Sequence, residues 1–185
     1  MKMGSEVWFQ ELFVKPPRIC GQQLKPYSVH HSFLLRNLGN PLIVGGEVTD
    51  NDLLSAILIC SLSHEASQDL IYNPKSIRWG WWLFYWSLKD LTIARESFIQ
   101  YVSEYLTVPE HWKKETGSDG DEIAAPFEMH LVLALCSKYN CSLSEAWNFP
   151  LALARCYYDV WAENEGDTTI VSERQYALIK EGQKK

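Results

Sequence analysis

The sequence predicts an all-α protein, a single-domain irregular helical bundle of about six or seven helices over residues 1–185. Apolar residues recur at spacings of three and four along most of the chain, which is the period of an amphipathic helix. No internal repeat or proline-rich linker divides the 185 residues, and this length is typical of one domain. The 46% hydrophobic content provides enough apolar surface for one core.

The first 25 residues predict an irregular lead-in, because Pro16 and Pro17 lack amide donors and block helix propagation. A first helix is expected over 27–38, where apolar residues fall near one face. Gly39 follows and supplies a stop signal. A second helix begins after Thr49, a preferred N-cap residue, and is expected to continue to about 64 and less regularly to 71.

Later segments carry clearer helical signals. Residues 91–105 place apolar side chains on one stripe and charged ones opposite, and 127–139 indicates a buried helix. Ser142 and Glu145 have the spacing of a capping box, which predicts a short turn over 143–148.

A long helix from Pro150 to about 164 should follow that turn, because proline is tolerated in a first helical turn. Gly166 suits its C-terminal cap. A last short helix is expected over 172–180. Between these helical segments, the acidic, glycine-containing run at 115–122 predicts a mobile loop.

A tryptophan-rich block at 77–86 is apolar nearly all round if it is helical. Core packing is the first interpretation, because a soluble chain does not easily expose four tryptophans. The alternative is that part of the block binds a partner, since Trp and Tyr are enriched at binding hot spots. The partner-binding candidates are Trp79, Trp81, Trp82, Tyr85 and Trp86.

Charge and hydropathy exclude several partner classes. The net charge of −6 repels a polyanion, and no run of Lys or Arg interleaves with aromatic residues, so nucleic acid is not expected. The longest apolar segment has about a dozen residues where roughly 20 are needed to cross a bilayer, so no membrane partner is expected. No secretory signal is recognised at the N-terminus. The five cysteines are interpreted as reduced and buried, as in a cytoplasmic protein.

No residues form a catalytic, cofactor-binding or metal-binding motif that we would assign. His30 and His31 are adjacent, and neighbours on a helix diverge by about 100°, which argues against one shared metal ion. Asp159 and Glu163 lie four apart on the predicted long helix and are interpreted as exposed charges. The nucleophile-elbow, HExxH and phosphate-loop motifs are also absent from the sequence.

Two stretches resemble the tail assembly chaperones of tailed bacteriophages. The first is GQQLKPYSVHH at 21–31, continuing to Pro41 and to the helix that contains 52–56. The second is SLSEAWNFPL at 142–151, continuing to 162–166. Together they cover about half of the chain.

The resemblance implies a non-enzymatic protein that acts in the cytoplasm of the infected bacterium. It would bind the tape-measure protein, tail-tube subunits or both during virion assembly. One alternative is a structural virion component, such as a neck or tail-completion protein. A second alternative is an uncharacterised helical enzyme or metalloprotein that uses the histidines and thiols.

Overall fold

The protein is mostly helical, which confirms the predicted all-α class. A computed structural model describes residues 2–3, 15–72, 91–106, 108–109, 111–112, 125–166 and 169–171. Within these residues the helices are α1 (Val29–Asn37), α2 (Pro41–Val44), α3 (Asp50–Ser61), α4 (His64–Tyr72), α5 (Leu91–Leu106), α6 (Phe127–Tyr139), α7 (Leu143–Asn148) and α8 (Leu151–Asn164). The strands are β1 (Lys2–Met3), β2 (Arg18–Ile19), β3 (Gln22–Gln23), β4 (Val108–Pro109), β5 (His111–Trp112) and β6 (Thr169–Ile170).

Helix α1 is central to the bundle and packs against α2, α3, α6, α7 and α8. It begins after Ser28, which is the N-cap residue and has an extended backbone. Val29 and Leu35 are fully buried, and so are the polar side chains of His30 and His31. A helix that buries histidines as well as aliphatic residues must supply hydrogen-bond partners for them, and this requirement shapes the site described below.

The expected second helix is two helices, α3 and α4. Thr49 is the N-cap of α3 as predicted, and it forms a capping box with Asp52, whose Oδ2 accepts from the Thr49 amide at 2.9 Å. Leu62 then adopts an extended conformation and ends α3. Its carbonyl accepts a hydrogen bond from His31, and Ser63 caps the new helix α4 by accepting from the Ala66 amide. The break between α3 and α4 therefore coincides with a hydrogen bond between residues distant in sequence. The spacing of apolar residues does not reveal this bond.

Helix α5 has the amphipathic pattern that the sequence predicts. Ala94, Phe98 and Tyr105 are buried, whereas Glu96 and Gln100 on the opposite side are exposed. The buried side of α5 packs against α3 and α8. This helix thus closes one side of the bundle mainly through its apolar stripe.

The predicted arrangement of the last helices is also confirmed. Helix α6 spans the predicted residues, and the Ser142 amide donates to Glu145 Oε2 at 2.9 Å in the capping box of α7. Pro150 is the residue before α8 rather than its first residue. Gly166 follows the end of α8 with a φ of 81°, a left-handed conformation that favours glycine.

The lead-in contains short strands that were not predicted. Strands β2 and β3 form an antiparallel hairpin, joined by Cys20 and Gly21 with φ values of 48° and 76°. Positive φ at both central residues is the requirement of a type I′ hairpin turn, and glycine meets it without strain. Strand β1 pairs with β4 in parallel, and β5 pairs with β6 in antiparallel.

An ion pair with a buried carboxylate joins α1 and α6. Glu128 is buried, and its Oε1 accepts from the Ser32 hydroxyl at 2.6 Å. The same oxygen lies 3.3 Å from Arg36 Nε, whose side chain remains about half exposed. The carboxylate is therefore held by a hydroxyl and a guanidinium in place of water.

Several predicted features lie outside the described residues: the tryptophan-rich block, the loop at 115–122, the last helix at 172–180, and most of the lead-in before residue 15. Among the helices that are described, none is both long enough and apolar enough to cross a bilayer.

Candidate functional site

A cleft of about 300 Å³ opens beside the N-terminal end of α1. We call it the histidine cleft. The residues that line it are Lys25, Pro26, Ser28, His30, His31, Ser63 and Asn148. They come from the segment before α1, from α1 itself, from the turn before α4 and from the end of α7. The cleft is therefore assembled from parts of the chain that are more than 100 residues apart.

Backbone hydrogen bonds join the start of α1 to the start of α8. The Val29 amide donates to the Phe149 carbonyl at 3.0 Å, and the Leu151 amide donates to the Tyr27 carbonyl at 2.7 Å. Ser28 and Pro150 thus form an antiparallel bridge. This bridge fixes one wall of the cleft, because it holds α7 against the first turn of α1.

His31 is locked in one neutral tautomer. Its Nδ1 accepts from the Ser28 amide at 3.1 Å, so Nδ1 carries no proton. Its Nε2 then carries the proton and donates to the Leu62 carbonyl at 3.0 Å. Burial lowers the pKa of His31 to about 4, so the ring is neutral at physiological pH.

His30 is also neutral, and its tautomer follows from its neighbours. Its Nδ1 lies 3.3 Å from the Trp147 carbonyl, which only accepts, so Nδ1 carries the proton. The same nitrogen lies 2.7 Å from Ser28 Oγ, which therefore accepts from it. Nε2 is left as an acceptor for the Ser67 hydroxyl at 3.4 Å. Burial, followed by the nearby His31 and His64, lowers the pKa of His30 to about 3.

The two adjacent histidines do not diverge as expected. Their ring centroids lie 4.0 Å apart, because both side chains turn into the same polar cluster at the helix start. Both ring nitrogens of His31 are nevertheless engaged by protein groups, which leaves it no lone pair for a metal ion. Among the described residues, no group of three or more His, Cys, Asp or Glu could hold a metal ion.

A third histidine extends the cluster onto α4. The His64 ring lies 5.6 Å from His30 and stacks on Trp147 at 5.4 Å with an interplanar angle of 13°. Its amide donates to Asn148 Oδ1 at 2.9 Å. Burial lowers the pKa of His64 as well. Helices α1, α4 and α7 therefore meet around neutral imidazole rings.

The nearest acidic side chain in the cluster is Glu65, which is exposed on α4. It accepts hydrogen bonds from the Ser144 hydroxyl and from Asn148 Nδ2, the latter at 3.2 Å. These donors, Ser144 first, lower the pKa of Glu65 to about 2. Glu65 is thus a charged residue that ties α4 to α7 beside the cleft.

A second feature of the surface is a set of exposed apolar side chains on the last three helices. We call it the α6–α8 apolar set: Phe127, Met129, Leu133, Tyr139, Leu143 and Tyr157. Leu133 is 66% exposed within α6, and Leu143 is 63% exposed at the start of α7, which Ser142 caps. Exposed apolar side chains can form a protein contact where they adjoin on the surface.

Two members of this set are held rigidly. The rings of Tyr139 and Tyr157 stack with centroids 5.0 Å apart, and the Tyr139 hydroxyl donates to the Tyr157 carbonyl at 2.9 Å. Phe149 packs against Tyr157 with ring centroids 5.6 Å apart. Rigid aromatic side chains lose little conformational entropy when a partner binds them.

Not every residue singled out in the sequence belongs to a described site. The predicted partner-binding residues Trp79, Trp81, Trp82, Tyr85 and Trp86 lie outside the described part of the chain. Glu163 is exposed as expected and accepts from the Ile170 amide at 3.0 Å, whereas Asp159 is half-buried. The expectation that both carboxylates are exposed was therefore wrong for Asp159.

The cysteines are free, but the expectation that all are buried was wrong. Cys60 and Cys156 are buried, whereas Cys20, Cys136 and Cys141 are partly exposed. Burial raises the pKa of the Cys20 and Cys141 thiols, so they are held in the unreactive protonated form.

The histidine cleft itself was missed at the sequence level. The signal was present in the serine cap followed by two histidines at 28–31, but its partners Leu62 and Trp147 are distant in sequence. No protein-family model matches the chain, and neither a search of curated proteins nor a search of solved structures found a match.

Proposed function

We propose that the protein is a non-catalytic phage tail assembly chaperone that works in the host cytoplasm. The observation that carries the proposal is the α6–α8 apolar set, above all Leu133 and Leu143, which are more than 60% exposed. Reversible burial of such side chains against an amphipathic helix of a partner needs no catalytic group. The partner would be the tape-measure protein, a tail-tube subunit or both.

The arrangement of the two resembling stretches supports the same proposal. Residues 21–31 and 142–151 are far apart in sequence, yet the Ser28–Pro150 bridge joins them. The resemblance therefore rests on one contiguous unit built around α1, α7 and the start of α8. The net charge of −6 further favours a protein partner over nucleic acid.

Co-expression tests the proposal directly. The partner is the long coiled-coil protein encoded nearest to this chain, and the measurement is its soluble fraction with and without the chaperone. We expect Leu133→Asp to weaken co-purification roughly tenfold, because a charge would replace a buried contact. Ile93→Asp is the matched control, since Ile93 is 62% exposed on α5, outside the α6–α8 apolar set.

Two results would overturn the proposal. One is a soluble yield of the tape-measure protein that is the same with and without the chain. The other is recovery of the chain in stoichiometric amounts from purified mature virions, which would favour a structural virion component instead. Mass spectrometry of virions measures the second result.

A further inference from the structure

The histidine cleft has a cationic rim although the protein is acidic. The net charge is −6, yet none of the described residues that line the cleft is an Asp or a Glu. Lys25 contributes a cation at the exposed rim. A cleft with this lining differs in charge from the protein as a whole, which indicates a preference for anions.

The Ser28 hydroxyl retains a proton that it can donate into the cleft. Because His30 Nδ1 must donate to the Trp147 carbonyl at 3.3 Å, it also donates to Ser28 Oγ at 2.7 Å. Ser28 therefore accepts from this histidine and its own proton is not used in that contact. The hydroxyl and the Lys25 ammonium are two donors on one cleft.

We propose that the histidine cleft binds a small oxyanion, either a carboxylate or a phosphate group, through Lys25 and Ser28. A volume of about 300 Å³ holds a group of this size. The neutral His30 positions the Ser28 hydroxyl, the neutral His31 accepts from the Ser28 amide, and neither ring adds a charge. This site goes beyond the proposed chaperone function, because its lining residues are not members of the α6–α8 apolar set and it needs no partner protein.

The charged groups around the cleft set the strength of binding. Glu65 on α4 remains ionised, because its pKa is lowered to about 2 by Ser144 and its other donors, and it opposes an anion. Lys25 is exposed, so its attraction is screened by solvent and salt. Binding should therefore be weak and should depend on ionic strength.

NMR titration tests the proposal with two probes. Inorganic phosphate and acetate are added separately to the whole chain at pH 7 and constant ionic strength, and amide shifts are followed. We expect saturable shifts at Lys25, Ser28, His30 and His31 with at least one probe. Binding by phosphate alone or acetate alone supports the site and distinguishes a tetrahedral from a planar ligand.

Substitutions separate a specific site from general attraction. Lys25→Gln removes the cation while keeping the Lys25 backbone bonds to Cys60 and Tyr101, and it should weaken binding about fivefold. Lys138→Gln is the control, because Lys138 is exposed on α6 over the Trp161 ring, and it should leave binding unchanged.

Three outcomes would overturn the oxyanion site. They are the absence of saturable shifts with both probes, equal weakening by both lysine variants, and shifts that spread evenly over the surface. Thermal unfolding of each variant confirms that the fold is intact. None of these outcomes bears on capture of the tape-measure protein, so the two proposals fail separately.

Discussion

At the scale of single residues, buried polar groups are what orient the side chains of this bundle. Tyr101 is buried on α5, and its hydroxyl donates to the Lys25 carbonyl at 2.7 Å. That hydrogen bond fixes the segment that leads into the histidine cleft. Leaving a buried carbonyl without a donor costs more free energy than the hydrogen bond itself contributes. Removal of the Tyr101 hydroxyl should therefore lower the stability of the protein.

Tyr101→Phe should lower the free energy of unfolding by about 1 to 2 kcal/mol, because the Lys25 carbonyl would lose its side-chain donor. Urea unfolding followed by circular dichroism measures the change. Tyr139→Phe is the matched control, since its hydroxyl also donates to a carbonyl but at the surface. The control should change stability by under about 0.5 kcal/mol. Equal effects of the two variants would contradict this account.

The orientation of His30 and His31 could not be predicted from local spacing. The helical angle between neighbours predicts divergence, yet the rings lie 4.0 Å apart. The first turn of α1 allows this because Ser28 is not helical and its amide is free to donate to His31. Helix geometry applies least at the cap, where side chains replace missing backbone hydrogen bonds.

At the scale of helices and strands, caps and amphipathic stripes were the most reliable signals. The capping box of α7 was predicted from Ser142 and Glu145 and is present in full. The hairpin of β2 and β3 was missed, because a Cys-Gly turn is a weak signal beside two prolines. The break between α3 and α4 was missed because it depends on His31, a residue 31 positions away from Leu62.

Ser142→Ala tests the energetic role of a predicted cap. The Ser142 hydroxyl accepts from the Glu145 amide at 3.3 Å, and its loss should lower stability by about 1 kcal/mol. Chemical denaturation measures the midpoint. Ser137→Ala is the control in the exposed interior of a neighbouring helix, where alanine has the higher helix propensity and should be neutral or slightly stabilising. A cap variant as stable as this control would rule out the role.

At the scale of the whole molecule, α1 joins the other elements through one apolar core and two polar junctions. The hydrophobic core continues from Ile19 in β2 to Cys156 in α8. The pair of Glu128 and Arg36 holds α6, and the histidine cluster holds α4 and α7. Composition predicted the apolar core, but the polar junctions depend on contacts between distant residues.

These histidines should make global stability depend on pH in a specific window. An unfolded histidine has a pKa near 6.5, whereas the pKa of His30 is lowered to about 3 and that of His31 to about 4. Between pH 6.5 and 4.5 the unfolded chain therefore binds more protons than the folded one. Stability is fully present above pH 6.5 and falls as the pH is lowered.

The expected slope approaches about 1.4 kcal/mol per pH unit for each buried histidine across this window. Glu65, Asp52 and Glu145 also have lowered pKa values, but an unfolded carboxyl is less than about a tenth protonated above pH 5.5, so these groups add to the slope mainly below that pH. Urea unfolding at half-unit pH steps measures the slope. His30→Gln should reduce the slope by the contribution of one histidine. A change in the overall stability of the variant does not affect this comparison, because only the slopes are compared. A slope that is flat from pH 6.5 to 4.5, or that is the same in His30→Gln, would show that the rings are not held neutral inside the bundle.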